Sequence, residues 1–310
     1  MLRGKVMRGS LWAKWDLHLH TPYSIVQDYG GEQNWPRFLD ELESLDPAFK
    51  VLGVNDYWFL DGYERLAKDR AAGRLSNIDC LLPVIEMRLS HLAGANESLK
   101  KINLHVLFDP SVSADTIRSQ FISALTPSLK VEQGEVDAWS GVVTKEALAD
   151  LGQSIIDSAP EKYRSSYGPP LMTGFSNLTV DFNQVINALR SHYFENKHLL
   201  ILGRAEWASI KWEAASAATK RDVINRCQLI FTAFEDTSKW TSRREELTDA
   251  NVLSRIVDCS DAHYWSDSRQ PNRIGNCETW MRTYQAFVVW CTPSRSSTLG
   301  CMLVKSRRTC

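Results

Sequence analysis

The chain has no excess of either charge: 36 Lys and Arg stand against 37 Asp and Glu, for a net charge of -1. That excludes a global basic field that would recruit nucleic acid, while a balanced total still permits a local basic patch. Paired cysteines are also missing. The seven present are odd in number and scattered, with no C-x-x-C spacing. This argues against a disulfide framework and against a Cys-rich zinc site. It fits reduced thiols and a cytoplasmic location. No apolar run approaches the ~18 residues of a membrane span. No long apolar stretch follows Met1-Leu2-Arg3-Gly4-Lys5-Val6, so neither a secretory leader nor contact with a membrane is expected. Internal repeats and low-complexity tracts are absent from the first hundred residues. What remains is ordinary globular material: 310 residues, 44% hydrophobic and 24% charged, enough for one large domain or two smaller ones.

The informative content lies in where histidines and acids fall. Short apolar runs end, one after another, in a metal-type ligand. These are Trp15-Asp16-Leu17-His18-Leu19-His20, Val51-Leu52-Gly53-Val54-Asn55-Asp56, Leu81-Leu82-Pro83-Val84-Ile85-Glu86, Ile102-Asn103-Leu104-His105 and Ile256-Val257-Asp258-Cys259-Ser260-Asp261-Ala262-His263. An α/β barrel builds its site from residues at the C-terminal ends of its strands. Five such ends point to one metal-dependent hydrolytic site drawn from the whole chain.

Strands are expected at residues 14–19, 51–55, 81–85 and 102–108, with helices at 35–45 and 62–72. That alternation implies parallel βαβ units. Residues 109–197 read as a helical insertion, with helices at 114–125, 145–158 and 182–194 and Thr144 capping the second. Strands resume at 199–202, 229–234 and 256–259, with a helix around 221–226. The end of the chain differs in composition. No Asp or Glu follows Glu278, and Cys277, Cys291, Cys301 and Cys310 crowd the last stretch. Residues 281–310 are therefore expected to be an atypical tail, as a truncated or frameshifted end would produce, or else an unusual native segment.

His18 and His20 lie two apart on a strand and so share a face. Neutral imidazole is a common ligand for zinc-like ions. Alone, H-x-H is a weak signal, and a buried His paired structurally with Asp16 would explain it equally. The distant Asp261-x-His263 repeats the geometry, and a closing barrel puts its first and last strands side by side. Glu86 can bridge two ions with its two oxygens, or else pair with Arg88. His105 sits inside an apolar strand, where a lone histidine is often a satisfied core residue; within this series a ligand role is preferred.

Together, Asp16-Leu17-His18-Leu19-His20-Thr21, Asn55-Asp56-Tyr57, Ile85-Glu86, Asn103-Leu104-His105-Val106 and Ser260-Asp261-Ala262-His263 resemble the motifs of the PHP family (polymerase and histidinol phosphatase). The resemblance covers residues 14–280. It implies an α/β fold, a distorted seven-stranded (β/α) PHP barrel carrying the helical insertion. It also implies up to three metal ions and hydrolysis of phosphoesters. The opening segment, with Asp56-Tyr57-Trp58 and Asp61-Gly62-Tyr63, is similar to the branch in which the barrel precedes an SMC-like or AAA-like ATPase (TrlF-type proteins), some of whose relatives are linked to anti-phage defence. An ATPase domain or partner follows from that likeness.

The chain also departs from the family. Tyr57 stands where a histidine is usual, Val26 where another His or Asp is frequent, and no histidine is in register near residues 199–206, where Glu206 is the candidate substitute. The implied ligands are His18, His20, Asp56, Glu86, His105, Glu206, Asp261 and His263, holding one or two divalent ions (Zn, Mn or Fe) rather than three. Asp261 would orient the nucleophile, His263 protonate the leaving group, and Arg204 face the phosphate, with Arg88 and Arg273 as competing cations. The expected substrate is a nucleic acid or nucleotide. The alternatives are a histidinol-phosphate-like small-molecule phosphatase and a degenerate, non-catalytic barrel that regulates an ATPase. Of the eleven tryptophans, Trp12, Trp15, Trp58, Trp207 and Trp265 flank the motifs. They would serve as base-stacking surfaces or as plain packing.

Overall fold

A computed structural model of the chain describes residues 10–93, 100–132, 135–138, 142–203, 206–214, 216–232 and 237–284. The architecture is mixed α/β around an eight-stranded, curled half-barrel sheet. Its strands are β1 (Ser10–Leu19), β2 (Phe49–Asn55), β3 (Cys80–Ala93), β4 (Lys100–Phe108), β7 (His198–Leu202), β8 (Leu229–Thr232), β9 (Ile256–Asp258) and β10 (Trp280–Tyr284). The order across the sheet is β10-β1-β2-β3-β4-β7-β8-β9. A two-stranded ribbon, β5 (Ser128–Glu132) with β6 (Glu135–Ala138), stands apart.

The expectation of uniformly parallel units fails at β4. It runs antiparallel to both β3 and β7, whereas β1-β2-β3 and β7-β8-β9 are parallel. An apolar strand carries the same residue pattern in either direction, so pattern alone does not reveal its sense. β10 pairs antiparallel with β1 from Ser10↔Tyr284 to Lys14↔Trp280. It crosses the boundary expected at residue 280; residues 285–310 lie outside the described set.

The two edges of the curl approach each other past the end of β9. Leu19 bridges Ala262, and the His20 amide donates to Ala262 O at 3.2 Å. The expected neighbourhood of first and last strands is therefore present, though the meeting segment is the one after β9.

Helices cover the sheet. α1 (Trp35–Glu43) and α2 (Asp61–Ala71) pack Phe38, Leu39, Leu42 and Leu66 against the outer face of β1 and β2 through Leu19, Leu52 and Val54. Between β4 and β7 come α3 (Ala114–Thr116), α4 (Lys145–Ser158), α5 (Glu161–Arg164), α6 (Pro170–Asn177) and α7 (Phe182–Leu189). They bury Leu148, Phe175, Phe182 and Val185 against Ile85, Met87, Ile102, Leu104 and Val106 of β3 and β4. Thr144 caps α4 as expected, accepting from the Ala147 amide at 3.1 Å. The helix expected over residues 114–125 is broken into α3, a π-type turn (Ile117–Phe121) and a 3-10 turn (Ile122–Ala124). α8 (Ala217–Asn225) and α9 (Thr237–Asp249) complete the set. Among the described residues, no helix is long and apolar enough to cross a membrane.

Alternation in β3 and β4 decides what faces inward. Ile85, Met87 and Leu89, with Ile102, Leu104 and Val106, lie under the insertion helices. Glu86 and Arg88, with Lys101, Asn103 and His105, are out of phase with them and take the inner face of the curl. Below, Leu17, Val51, Leu82, Val84, Leu107, Ile201, Leu229, Phe231 and Val257 form the inner apolar floor.

Candidate metal centre

β1 delivers His18 and His20 to this inner face through an irregularity. Asp16 pairs with Leu52 and Leu19 with Val54, so β1 carries one residue more than β2 between these points. Such bulges bend a strand and re-aim its side chains, and they recur beside active sites. Gly53 answers this: a Cβ there would lie 2.5 Å from the Leu17 carbonyl oxygen.

Five lone-pair atoms converge. His18 Nε2 lies 3.1 Å from His20 Nε2, 3.3 Å from Glu86 Oε2 and 3.2 Å from Asp261 Oδ1. His20 Nε2 is 3.7 Å from Glu86 Oε2 and 3.6 Å from Asp261 Oδ1. His105 Nε2 is 3.4 Å from Glu86 Oε2. Two groups follow, His18-Glu86-His105 and His18-His20-Asp261, each compact enough to hold one ion. His263 joins the rim of the second, with Nε2 3.4 Å from Asp261 Oδ1 and its ring stacked on His20 at 4.1 Å between centroids. Phe231 closes the floor against His18 and His105.

The surroundings orient these groups. Asn55 Nδ2 donates to Glu86 Oε2 at 2.6 Å, and Asn103 Nδ2 to Glu86 Oε1 at 2.8 Å. Buried Asp16 accepts from the amides of His18 and Ser260, tying β1 to the segment that carries Asp261. Nδ1 of His263 donates to Val26 O at 3.0 Å, leaving Nε2 toward Asp261. Nδ1 of His20 meets the Ser24 hydroxyl at 3.1 Å. Two residues of the site hold left-handed backbone, Asp261 (φ 48°) and Tyr57 (φ 61°), a strained state that collects at functional sites.

The carboxylates and imidazoles of the centre shift one another's titration. Burial alone would raise the Glu86 carboxyl; the imidazoles of His105 and His18 outweigh it and hold Glu86 well below the carboxylate range. Burial is likewise outweighed at Asp261 by His18, His20 and His263. Burial would lower His18, yet Asp261 and Glu86 raise it. His20 goes the other way, pushed to about 3 by burial and then by His263. Both ring nitrogens of fully buried His105 lack a hydrogen bond, because the Glu86 oxygen at 3.4 Å is out of alignment. Buried polar atoms are rarely left so. An imidazole whose nitrogens make no hydrogen bond, beside imidazole and carboxylate donors, is what a Zn, Mn or Fe ion binds; the residues fit such an ion.

Not every expected ligand is in these groups. Asp56 is engaged elsewhere: it accepts from the Thr21 amide (3.0 Å) and hydroxyl (2.9 Å) and from the Gly62 amide (3.1 Å). Burial raises it to about 6 against those bonds. It fixes the loop after β1 to the start of α2, and a Cβ on Gly62 would collide with it. Glu206 begins a 3-10 turn (Glu206–Ser209); its side chain, and the whole of Arg204, lie outside the described residues. Arg273 donates to Gln270 O on an exposed loop. Arg88 stands on the inner face, two residues beyond Glu86. Tyr57 packs between His20 (4.6 Å) and Phe175 (4.4 Å), and its hydroxyl makes no hydrogen bond among the described residues.

Trp58 and Trp207 are core residues and Trp265 packs on Tyr29 and Arg37, which favours packing over base stacking for these three. Sequence reading missed the supporting residues Asn55, Ser260 and Phe231. The signal for Asn103 was available, since it stands in phase with His105.

Comparison with known proteins supplies no family: no family model matches the chain, and no curated protein matches it.

Proposed function

We propose that the chain is a metal-dependent phosphoesterase with a PHP-type barrel, acting on nucleic acid or nucleotides. The observation that carries this reading is the convergence of His18, His20, Glu86, His105 and Asp261 on one buried point, with His105 left unsatisfied. The sequence motifs and the curled α/β sheet support it, as does the delivery of ligands from both ends of the chain.

Bound ions in such a centre lower the pKa of water and neutralise charge building on a phosphoryl group. His18 belongs to both ligand groups, and Glu86 Oε2 lies 3.3 Å from its Nε2 and 3.7 Å from His20 Nε2. Asp261, with 20% of its side chain exposed, is the most open of the set and would orient an attacking water. His263 keeps Nδ1 on Val26 O, so protonation at Nε2 makes it a donor toward a leaving oxygen. Tyr57 offers its hydroxyl from the position of the missing histidine.

The test is metal content by plasma mass spectrometry on protein purified without chelator or nickel, followed by hydrolysis of bis-p-nitrophenyl phosphate and p-nitrophenyl phosphate. One or two Zn, Mn or Fe per chain, with hydrolysis lost in His20→Ala, is the expected result. No metal after Mn and Zn loading, or activity indifferent to His20→Ala, overturns the reading. Asp56 held by Thr21 and Gly62, with Tyr57 beside it, favours a second reading, a regulatory barrel partnering an ATPase. Bound metal without any hydrolysis would select that one.

A further inference from the structure

We propose that Arg88 and Lys101 form a second phosphate site beside the metal centre, so that the substrate is a single strand of nucleic acid rather than a phosphomonoester. This rests on the preceding reading for the placement of the scissile phosphate at the metal centre.

β3 and β4 present a row of polar side chains on the inner face. Glu86 faces His105 and Arg88 faces Asn103, with Lys101 one repeat further along β4. Two residues of strand span about 6.7 Å, so the cations begin one side-chain step from the ligands. The insertion holds both. The Arg88 guanidinium stacks on the Phe175 ring at 4.3 Å and donates to Phe175 O at 3.3 Å. Lys101 Nζ donates to Ser176 O at 2.6 Å. Both are half-buried, and neither meets a carboxylate among the described residues.

Their acceptors lie in the last turn of α6. A helix C-terminus offers about half a negative charge, and one cation suffices to complement it. Two cations from different strands converge here, and like charges in a half-buried place repel. The pair therefore carries an uncompensated positive charge next to an acid-rich centre. Arg88 has five N–H donors and Lys101 three, and each uses one. The remaining donors suit phosphate oxygens, for which arginine's planar fork is well matched.

Spacing along the strand separates this site from the metal centre, so one phosphate cannot occupy both. A ligand with phosphates in series can. The metal ligands are buried, with His20 fully enclosed, which favours a narrow extended strand over a wide duplex. The near-neutral net charge of the chain does not oppose this, because a balanced total permits a local pair of cations.

The experiment measures binding of a fluorescein-labelled single-stranded oligonucleotide to the full chain by anisotropy across a salt series, without metal and with Mn, beside hydrolysis of the same strand and of p-nitrophenyl phosphate. Each phosphate contact on a single strand contributes about 0.7 to the slope of log affinity against log salt. The double variant Arg88→Gln/Lys101→Gln is expected to lower that slope by about 0.7, for the one phosphate the pair holds, and to raise KM for the oligonucleotide more than tenfold, with a smaller rise in KM for p-nitrophenyl phosphate. Because both residues also anchor α6, the charge-preserving Arg88→Lys/Lys101→Arg variant is measured in parallel and is expected to keep the slope.

An unchanged slope in the neutral variant, or equal competition by inorganic phosphate and by the oligonucleotide, overturns the proposal. Hydrolysis of p-nitrophenyl phosphate with an unchanged slope would sink the second site alone. A lost slope with no hydrolysis of any substrate would sink the enzymatic reading alone.

Discussion

His18 belongs to two ligand groups, and they rest on different kinds of backbone. Glu86 and His105 face each other within the β3–β4 ladder, in the middle of long strands, with Asn55 and Asn103 bonded to the two oxygens of Glu86. His20 and Asp261 lie past the ends of their strands. One follows the bulged end of β1, and the other sits in left-handed backbone beyond β9. The first group is fixed by sheet register, which a single-residue slip would destroy for every inward side chain at once. The second depends on a few cross-links, chiefly Asp16 on the amides of His18 and Ser260. The ladder group is rigid before any ion arrives, while the loop group can adjust as ligands and substrate change.

The comparison breaks first at the shared residue. His18→Ala is expected to empty both groups and reduce turnover by more than about 100-fold, above the range seen for losing outer support alone. Metal analysis and turnover on the same preparation check it. Next, His105→Ala and Asp261→Asn should each weaken one group and leave the other able to bind an ion with His18, whose Nε2 serves one ion at a time. Their residual metal contents would be similar but their Mn titrations different, the ladder group retaining the tighter site in Asp261→Asn. Equal titrations would erase the distinction drawn above.

Asn103→Ala, which strips one donor from Glu86, should weaken Mn binding about 10-fold, visible as a shifted titration with unchanged stoichiometry. Asp56→Ala should leave metal content untouched. It costs about 1–3 kcal/mol for each buried amide left unpaired, here those of Thr21 and Gly62, and so lowers Tm.

A pH-dependent effect concerns Asp258, just before the loop group. Burial, with Asp16 nearby, raises it from 3.8 to about 8. The folded carboxyl keeps its proton where the unfolded one ionises, so its contribution to stability falls as pH rises from about 4 to about 8. The Tm of Asp258→Asn minus that of the unaltered chain should therefore grow across that window, and a flat difference would remove the effect.

Period-two alternation made the pairing of His18 with His20 legible, and apolar runs located Glu86 and His105 on strands. The sense of β4 was not legible, because Ile102, Leu104 and Val106 read alike in both directions; Glu86, expected just past a strand over residues 81–85, became a mid-strand residue of β3. α6 was not legible in the sequence because Pro169 and Pro170 look like breakers, although proline is well suited to a first helical turn. The ribbon β5–β6, rich in charge, gave no apolar pattern. β10 was hidden by the odd composition around it. Asn55 and Ser260 support the site only through partners distant in sequence, Ser260 binding Asp16 across 244 positions. No local pattern encodes that pairing.

That same span bears on how the molecule comes into being. His18 and His20 leave the ribosome early, while Ser260, Asp261 and the Leu19–Ala262 bridge exist only after nearly all of the described chain has been made. Contacts so remote in sequence are slow to form, because the chain must first give up the entropy of a very large loop. The Glu86–His105 pair, closed by a neighbouring antiparallel contact, can assemble long before. A nascent chain would thus own half a coordination sphere for much of its synthesis, and the completed centre would mark the last step of folding rather than its nucleus.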